Sequence, residues 1–180
     1  VKSWPGGPHP GRGTRNHLLS LGETTYLEII GPDPEQDPPD SSRPFGLDDF
    51  GTGGLVMWAI HPTNLEGVVA RAREAGYDPG EILSMSRESP RGLLEWRLTM
   101  RLEREAGGLV PFLIDWGETP NPALSSAGGC ELVDLRGQHP KPDDVVGVLA
   151  TLEVSLDVSI APRPALIALL KTPNGEIELR

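Results

Sequence analysis

The sequence predicts an α+β domain of repeated βαββ units whose curved mixed sheets surround a cleft. The main observation is that the order strand–helix–strand–strand occurs twice, in residues 55–116 and in residues 130–180. A second observation is the high content of glycine (22) and proline (19), which is typical of many short elements joined by turns. The 180 residues suffice for one sizeable core, so we expect a single domain over 1–180.

The first unit is predicted to be partial. Residues 1–14 show no hydrophobic periodicity and predict a loop, whereas residues 16–30 predict a β-hairpin around the turn 22–24. Residues 31–54 are rich in proline, aspartate and glycine. They predict a linker or a lid that is longer than most connections.

The second unit begins with the apolar run 55–60, which predicts a strand. Asn64 predicts the N-cap of a helix that ends at Gly76. The apolar face of this helix has the spacing i, i+3, i+4, i+7 and consists of Leu65, Val68, Val69 and Ala72. Three further predicted strands follow at 81–88, 93–103 and 109–116, the first two joined by a turn at 89–92.

The third unit repeats this order. Residues 130–136 predict a strand, and Asp143 predicts the cap of a short helix. The predicted strands that follow are 154–161, 164–172 and, after a Pro-Asn-Gly turn, 176–180. Each unit has only one face to bury, so we expect paired units to curl around a shared cleft.

Charge and cysteine content exclude several classes of function. The net charge of −10 disfavours nucleic acids and anionic membrane surfaces as partners. No apolar run approaches the roughly 18 residues of a membrane span, and the single cysteine, Cys130, cannot form an intrachain disulfide. We therefore expect a cytoplasmic protein, and the arginine-rich composition is typical of a bacterial gene with high GC content.

Three groups of side chains are candidates for ligand contact. A glycine-rich loop carries His9, Arg12, Thr14 and Asn16, which either bind a ligand or serve turn chemistry alone. Asp115 and Trp116 end an apolar strand, where Asp115 is either a general base whose pKa is raised by burial or a strand-end carboxylate satisfied by its neighbours. The third group combines arginines that could pair with a carboxylate and tryptophans that either line a pocket or fill the core: Arg87, Arg97, Trp58 and Trp96.

Several blocks together resemble the glyoxalase-like domain family of the vicinal-oxygen-chelate superfamily. They are residues 6–22, 25–34, 58–80, 109–117 and 139–144. The resemblance implies a small-molecule cleft and a homodimer. It also implies that the first unit lacks the N-terminal strand and helix of the family pattern.

The superfamily is known for a divalent metal held by histidine and glutamate on strands that face the cleft. Glu28 and Glu178 stand at positions that resemble the glutamate ligand, or else they are solvent-facing or ion-paired strand carboxylates. The position that resembles the histidine ligand falls near Met57, a poor ligand, and His61 follows only in the turn. A metal is therefore conceivable through the two glutamates, but we do not favour one.

Two functions stay open at this stage. One is a lyase, isomerase or dioxygenase for a small oxygenated or aromatic substrate, with Glu28, Glu178 or Asp115 as metal ligand or base. The other is a metal-free module that binds or sequesters a small molecule without catalysis. Fold analogy alone does not choose between them.

Overall fold

The computed structural model describes residues 1–40, 42–49, 53–89, 92–101 and 104–180. Within them the chain forms three β-sheets and two α-helices, which confirms the α+β class. The strands are β1 (Trp4–His9), β2 (Thr14–Ser20), β3 (Tyr26–Pro32), β4 (Ala59–Ile60), β5 (Glu81–Ser89), β6 (Gly92–Met100), β7 (Phe112–Asp115), β8 (Glu131–His139), β9 (Asp157–Ile160), β10 (Ala165–Thr172) and β11 (Gly175–Leu179). The helices are α1 (Leu65–Glu74) and α2 (Pro142–Thr151).

A few predicted features fall outside the described residues. They are positions 90–91 of the predicted turn, positions 102–103 at the end of a predicted strand, and positions 41 and 50–52 of the predicted linker. The rest of the linker includes a short 3-10 helix, Pro44–Asp49.

The N-terminal sheet consists of β1, β2 and β3 in sequence order, and all its pairs are antiparallel. The prediction of a loop over 1–14 was therefore wrong for β1. Its prolines and glycines hide the alternation that marks a strand, and they are tolerated because β1 lies at the sheet edge. A register shift between Pro5 and Gly7 interrupts the pairing with β2.

The central sheet has the order β4-β7-β6-β5, and β4 runs parallel to β7. The strand predicted over 55–60 is reduced to the two residues of β4. Upstream of β4 the backbone bonds elsewhere, since the N–H of Leu55 donates to the carbonyl of Arg180 at 2.9 Å. The C-terminal sheet has the order β11-β10-β8-β9, and β8 runs parallel to β9.

The second and third units share their order of elements but not their strand pairing. The first strand of the second unit, β4, pairs with the last strand, β7, whereas the first strand of the third unit lies between β10 and β9. The predicted duplication of βαββ units is therefore not confirmed in its details, because the two stretches share the order of their elements but differ in strand pairing. The cleft between paired units stays a prediction.

Both helices begin and end for identifiable reasons. Asn64 caps α1, and its side-chain oxygen accepts from the N–H of Gly67 at 2.9 Å. Gly76 follows α1 with φ = +90°, as predicted for a helix-terminating glycine. Asp143 is not the cap of α2, because Lys141 holds that place and the helix starts at Pro142, where the missing N–H costs nothing.

The main core lies around the two helices. It joins their buried faces to residues around β7 and β10: Leu65, Val68, Val69, Ala72, Leu109, Val110, Leu113, Val145, Leu149, Leu152, Leu156 and Leu166. All four predicted apolar positions of α1 belong to it. Among the described residues, no helix has the length and apolar character needed to span a membrane.

The N-terminal sheet contacts a different partner on each face. Leu19 and Leu21 pack with Ala168 and Leu170 of β10. Side chains alternate along a strand, so the even-numbered positions of β2 point the opposite way. On that side Asn16 reaches Arg87 of β5 in the central sheet.

Candidate functional site

A cluster of polar side chains lies where the N-terminal sheet meets the central sheet. We call it the polar cluster, and its members are His9, Thr14, Asn16, Glu28 and Arg87. Thr14 and Asn16 are buried on β2, and Arg87 is buried on β5. Buried polar groups are normally hydrogen-bonded, so the partners of these side chains define the site.

Asn16 connects the interior of the cluster to its outer end. Its side-chain oxygen accepts from the Nη1 group of Arg87 at 3.2 Å, and its Nδ2 donates to Oε1 of Glu28 at 2.7 Å. Both ends of the amide are therefore used, which also fixes its orientation. The Glu28 side chain is 36% exposed, so the hydrogen-bonded chain runs from a buried cation to a carboxylate in contact with solvent.

His9 stands beside Glu28 at the same end. Its Nδ1 lies 2.9 Å from the Thr14 hydroxyl, and its Nε2 lies 3.6 Å from Oε1 of Glu28. Burial lowers the pKa of His9, although the nearby Glu28 carboxylate acts in the opposite sense. The imidazole is therefore neutral near pH 7.

Glycines allow Arg87 to approach the N-terminal sheet closely. A Cβ on Gly6 would lie 2.0 Å from the side-chain oxygen of Asn16 and 3.3 Å from Nη2 of Arg87. A Cβ on Gly7 would lie 3.6 Å from Nη1 of the same guanidinium. Burial lowers the pKa of Arg87, although an arginine stays charged at neutral pH.

Aromatic rings border the cluster on the central-sheet side. The ring centroids of Trp96 and Trp116 are 5.5 Å apart, and Cζ of Arg87 is 6.0 Å from the Trp96 centroid. Tyr26 is hydrogen-bonded to Trp116, and its pKa is raised by burial and by the charge of Glu28. A ligand at this place would meet aromatic surface beside hydrogen-bonding groups.

Asp115 lies away from the polar cluster. It forms ion pairs with Arg97 and with His61, and it accepts from the N–H of Gly117 at 2.9 Å. The Arg97 and Gly117 hydrogen bonds lower the pKa of Asp115. The expected rise was therefore wrong, because cross-strand pairing with Arg97 outweighs burial.

Glu178 lies in the C-terminal sheet. It pairs with Arg136 at 2.5 Å and with Arg180 at 2.7 Å, and hydrogen bonds from these groups lower its pKa. It is therefore a strand carboxylate paired with arginines, while Glu28 belongs to the polar cluster.

Two other predicted site residues, Trp58 and Arg12, lie outside the polar cluster. The indole of Trp58 donates to the carbonyl of Leu109 at 2.8 Å and packs against the main core. Arg12 lies in the turn after β1, and its guanidinium has no partner among the residues that the structure describes. Of the site residues predicted from the sequence, the structure brings together seven: His9, Thr14, Asn16, Glu28, Arg87, Trp96 and Trp116.

Sequence reasoning missed two contributors to this site. Tyr26 lies two residues before Glu28 on β3, so strand alternation alone could have placed both side chains on one face. Gly6 was included only as part of a glycine-rich loop, and its importance depends on the approach of Arg87 from β5. A contact between residues 71 positions apart leaves no local pattern.

The donors of the polar cluster do not fit a divalent metal. Glu28 and His9 are its only carboxylate and imidazole, and Oε1 of Glu28 already accepts from Asn16. Within the described ranges no group of three His, Cys, Asp or Glu side chains is arranged to hold a metal ion. Superfamily metal chemistry therefore has no matching ligand set in the part of the chain described.

Two depressions are lined by described residues of other regions. A depression of about 280 Å³ lies between the N-terminal end of α1 and the C-terminal end of α2, beside His61 and the Arg71–Glu153 ion pair. A cavity of about 30 Å³ lies beside Tyr77 and Phe112. Neither is lined by the polar cluster, whose side chains contact one another.

Comparisons with known proteins agree with this architecture. A solved structure, that of a hypothetical protein from Staphylococcus aureus, superposes with a TM-score of 0.59 at 15% sequence identity. The match covers 99% of this chain and 75% of the other, and it shows likeness of fold alone. A search of curated proteins finds no match. The family model described as a glyoxalase-like domain matches residues 1–153, so the chain belongs to the glyoxalase-like domain family of the vicinal-oxygen-chelate superfamily.

Proposed function

We propose that this chain binds a small oxygenated or aromatic molecule at the outer end of the polar cluster, without a metal. The observation that carries the proposal is the hydrogen-bonded chain from buried Arg87 through Asn16 to half-exposed Glu28. The ligand would contact Glu28 and His9 through polar atoms and the Trp96 side through its apolar part. The fixed amide and carboxylate reduce the ordering required on binding.

A purely structural role is a weaker account of the same residues. Burying a guanidinium and an amide costs free energy unless every group is satisfied, and apolar packing would fill the space at lower cost. A polar cluster that ends in an exposed carboxylate therefore favours recognition over stability. The aromatic pair at its border supports the same proposal.

Thermal-shift measurements with small carboxylates, aldehyde conjugates and aromatic diols test the proposal, since a ligand that binds the native state raises Tm. We expect Glu28→Gln to weaken binding of a stabilising aromatic diol by about tenfold or more, because it removes a charged acceptor for the hydroxyl groups of the diol. The matched control is Glu178→Gln, whose carboxylate is 33% exposed. Equal losses in both variants would remove Glu28 from the site.

Metal analysis tests the metal-free part separately. We expect substoichiometric metal in the purified protein and no rise in Tm on adding Fe(II), Mn, Ni or Zn. Stoichiometric metal that is lost in Glu28→Gln would overturn this part of the proposal. A dioxygenase is not supported, because the described donors do not form its metal site.

A second candidate is proton transfer in a small carbonyl compound, as in a lyase or isomerase. Oε1 of Glu28 is engaged by Asn16, whereas Oε2 has no hydrogen-bond partner among the described residues. A half-exposed carboxylate with free lone pairs suits a general base. Deuterium exchange next to the carbonyl, followed by NMR, should stop in Glu28→Gln and continue in Glu178→Gln; exchange that persists in Glu28→Gln would eliminate this candidate.

We also propose a homodimer formed through the edges of the N-terminal sheet. Trp4 on β1 and Ile29 on β3 are both more than half exposed, at 55% and 51%. Unpaired strand edges with exposed apolar side chains favour association. Calibrated size exclusion should give the dimer mass, and elution as a monomer would contradict the proposal.

A further inference from the structure

We infer that the ligand of the polar cluster carries an anionic group, a carboxylate or a similar planar oxyanion, and that Arg87 binds it. The inference rests on the function proposed above and specifies the class of molecule. Arg87 is only 7% exposed, and its Nε is buried and has no hydrogen-bond partner among the described residues.

Among the described residues, no carboxylate is in direct contact with the Arg87 guanidinium. Glu28 influences it through space but is separated from it by the amide of Asn16. A buried cation without a paired anion is unfavourable, so a bound anion would complete the site.

The Nε–H group of Arg87, unpaired among the described residues, also indicates which shape of ligand would fit. Nη1 is engaged by Asn16, whereas Nε is not engaged. The Nε edge of a guanidinium presents two parallel N–H groups, which match the two oxygens of a carboxylate. A planar oxyanion would therefore satisfy the buried Nε, which a single neutral acceptor does less well.

The surroundings favour an anion attached to an aromatic or apolar group. Trp96 lies beside the guanidinium, with 6.0 Å between Cζ and the ring centroid, and the buried Trp116 packs against Trp96. Gly6 and Gly7 approach the same guanidinium without side chains. An aromatic carboxylate combines the two features that this environment recognises.

The test compares two probes that share a ring and differ in charge. Benzoate and benzyl alcohol are titrated into wild type at constant ionic strength, with Tm and the Nε–H NMR signals of arginine as readouts. We expect benzoate to bind about tenfold or more tightly than benzyl alcohol, and to shift the Nε–H signal of Arg87.

Two variants test whether benzoate binding depends on Arg87. Arg87→Lys keeps a positive charge and loses the planar fork, so benzoate affinity should fall by about tenfold or more. Arg136→Lys is the control, because Arg136 is paired with Asp134 and Glu178 in the C-terminal sheet. If Arg87→Lys does not fold, the wild-type Nε–H shift still decides the question.

The outcomes separate the two proposals. If both probes bind equally and the Arg87 signal does not move, the anion inference is overturned while small-molecule binding stands. If benzoate acts equally on Arg87→Lys and wild type, Arg87 is not the receptor. If neither these probes nor the compounds screened above bind, both proposals fail.

Discussion

Glu28 and Glu178 are strand carboxylates of similar exposure that lie in opposite environments. In the C-terminal sheet, Glu178 is paired with two solvent-accessible arginines, Arg136 and Arg180. In the N-terminal sheet, Glu28 accepts from the neutral amide of Asn16, and the nearest guanidinium of the cluster lies one hydrogen bond further inside. Two glutamates that the sequence predicted at similar ligand positions therefore have different hydrogen-bond partners.

The difference shows how a carboxylate is kept available. An exposed ion pair contributes about 1 kcal/mol at most, and its partners neutralise the charge locally. A carboxylate held by a neutral donor retains its charge and its free oxygen. Removing one partner inside the buried part of the polar cluster should also cost far more stability than breaking an arginine pair of the C-terminal sheet.

The largest difference in stability is expected when an arginine in each region loses a hydrogen-bond acceptor. Asn16→Ala leaves the buried guanidinium of Arg87 without its hydrogen bond and should lower the free energy of unfolding by about 3 kcal/mol. Asp134→Ala removes an acceptor of Arg136, which is 34% exposed, and should cost much less stability because solvent screens this pair. Urea denaturation gives both free energies of unfolding, and equal losses would contradict the expected difference between the two regions.

A smaller effect is expected from the glycine that admits Arg87. A Cβ at position 6 would lie 2.0 Å from the Asn16 oxygen, so Gly6→Ala should cost about 2 kcal/mol through displacement of the amide. Gly31→Ala is the matched control in the same sheet, because a Cβ there meets nothing within 4 Å. It should change stability by less than about 0.5 kcal/mol. A neutral Gly6→Ala variant would show that the cluster is loosely packed.

The smallest effects concern pH. Burial places the pKa of His9 below its ordinary value of 6.5, so between these two values the unfolded chain binds more protons than the folded chain. The stability that neutral His9 contributes is therefore lost as pH falls from about 6.5 through the folded pKa. Hydrogen bonds from Arg180 and Arg136 place the pKa of Glu178 below 4.5, so its contribution is present above pH 4.5 and is lost at lower pH. His9→Gln should therefore flatten the stability profile in the upper window, and Glu178→Gln in the lower one. Profiles that change in the same window would contradict this assignment.

Local sequence patterns predicted the parts of the fold that depend on local chemistry. The helix from Asn64 to Gly76 was predicted from its cap, its terminating glycine and its apolar spacing, and the structure confirms all three. The strand β1 was missed because its prolines and glycines remove the alternation on which strand prediction depends. The cap of α2 was assigned to Asp143, although Pro142 already opens the helix.

The candidate site could be predicted only in part, because it depends on register and on distant contacts. His9, Thr14 and Asn16 share a short segment, so local reasoning found them. The pairing of Arg97 with Asp115 follows from the register between β6 and β7, which no local pattern specifies. The meeting of Asn16 with Arg87 likewise requires the N-terminal sheet to lie against the central sheet.

Ligand contact at the polar cluster is tested by NMR, with backbone, indole and arginine Nε–H signals followed during a benzoate titration. We predict that the largest shifts occur at residues 6–16, Glu28, Arg87 and Trp96. Shifts that centre on Arg136 and Glu178 in the C-terminal sheet, or on the depression beside His61 and Arg71, would contradict it.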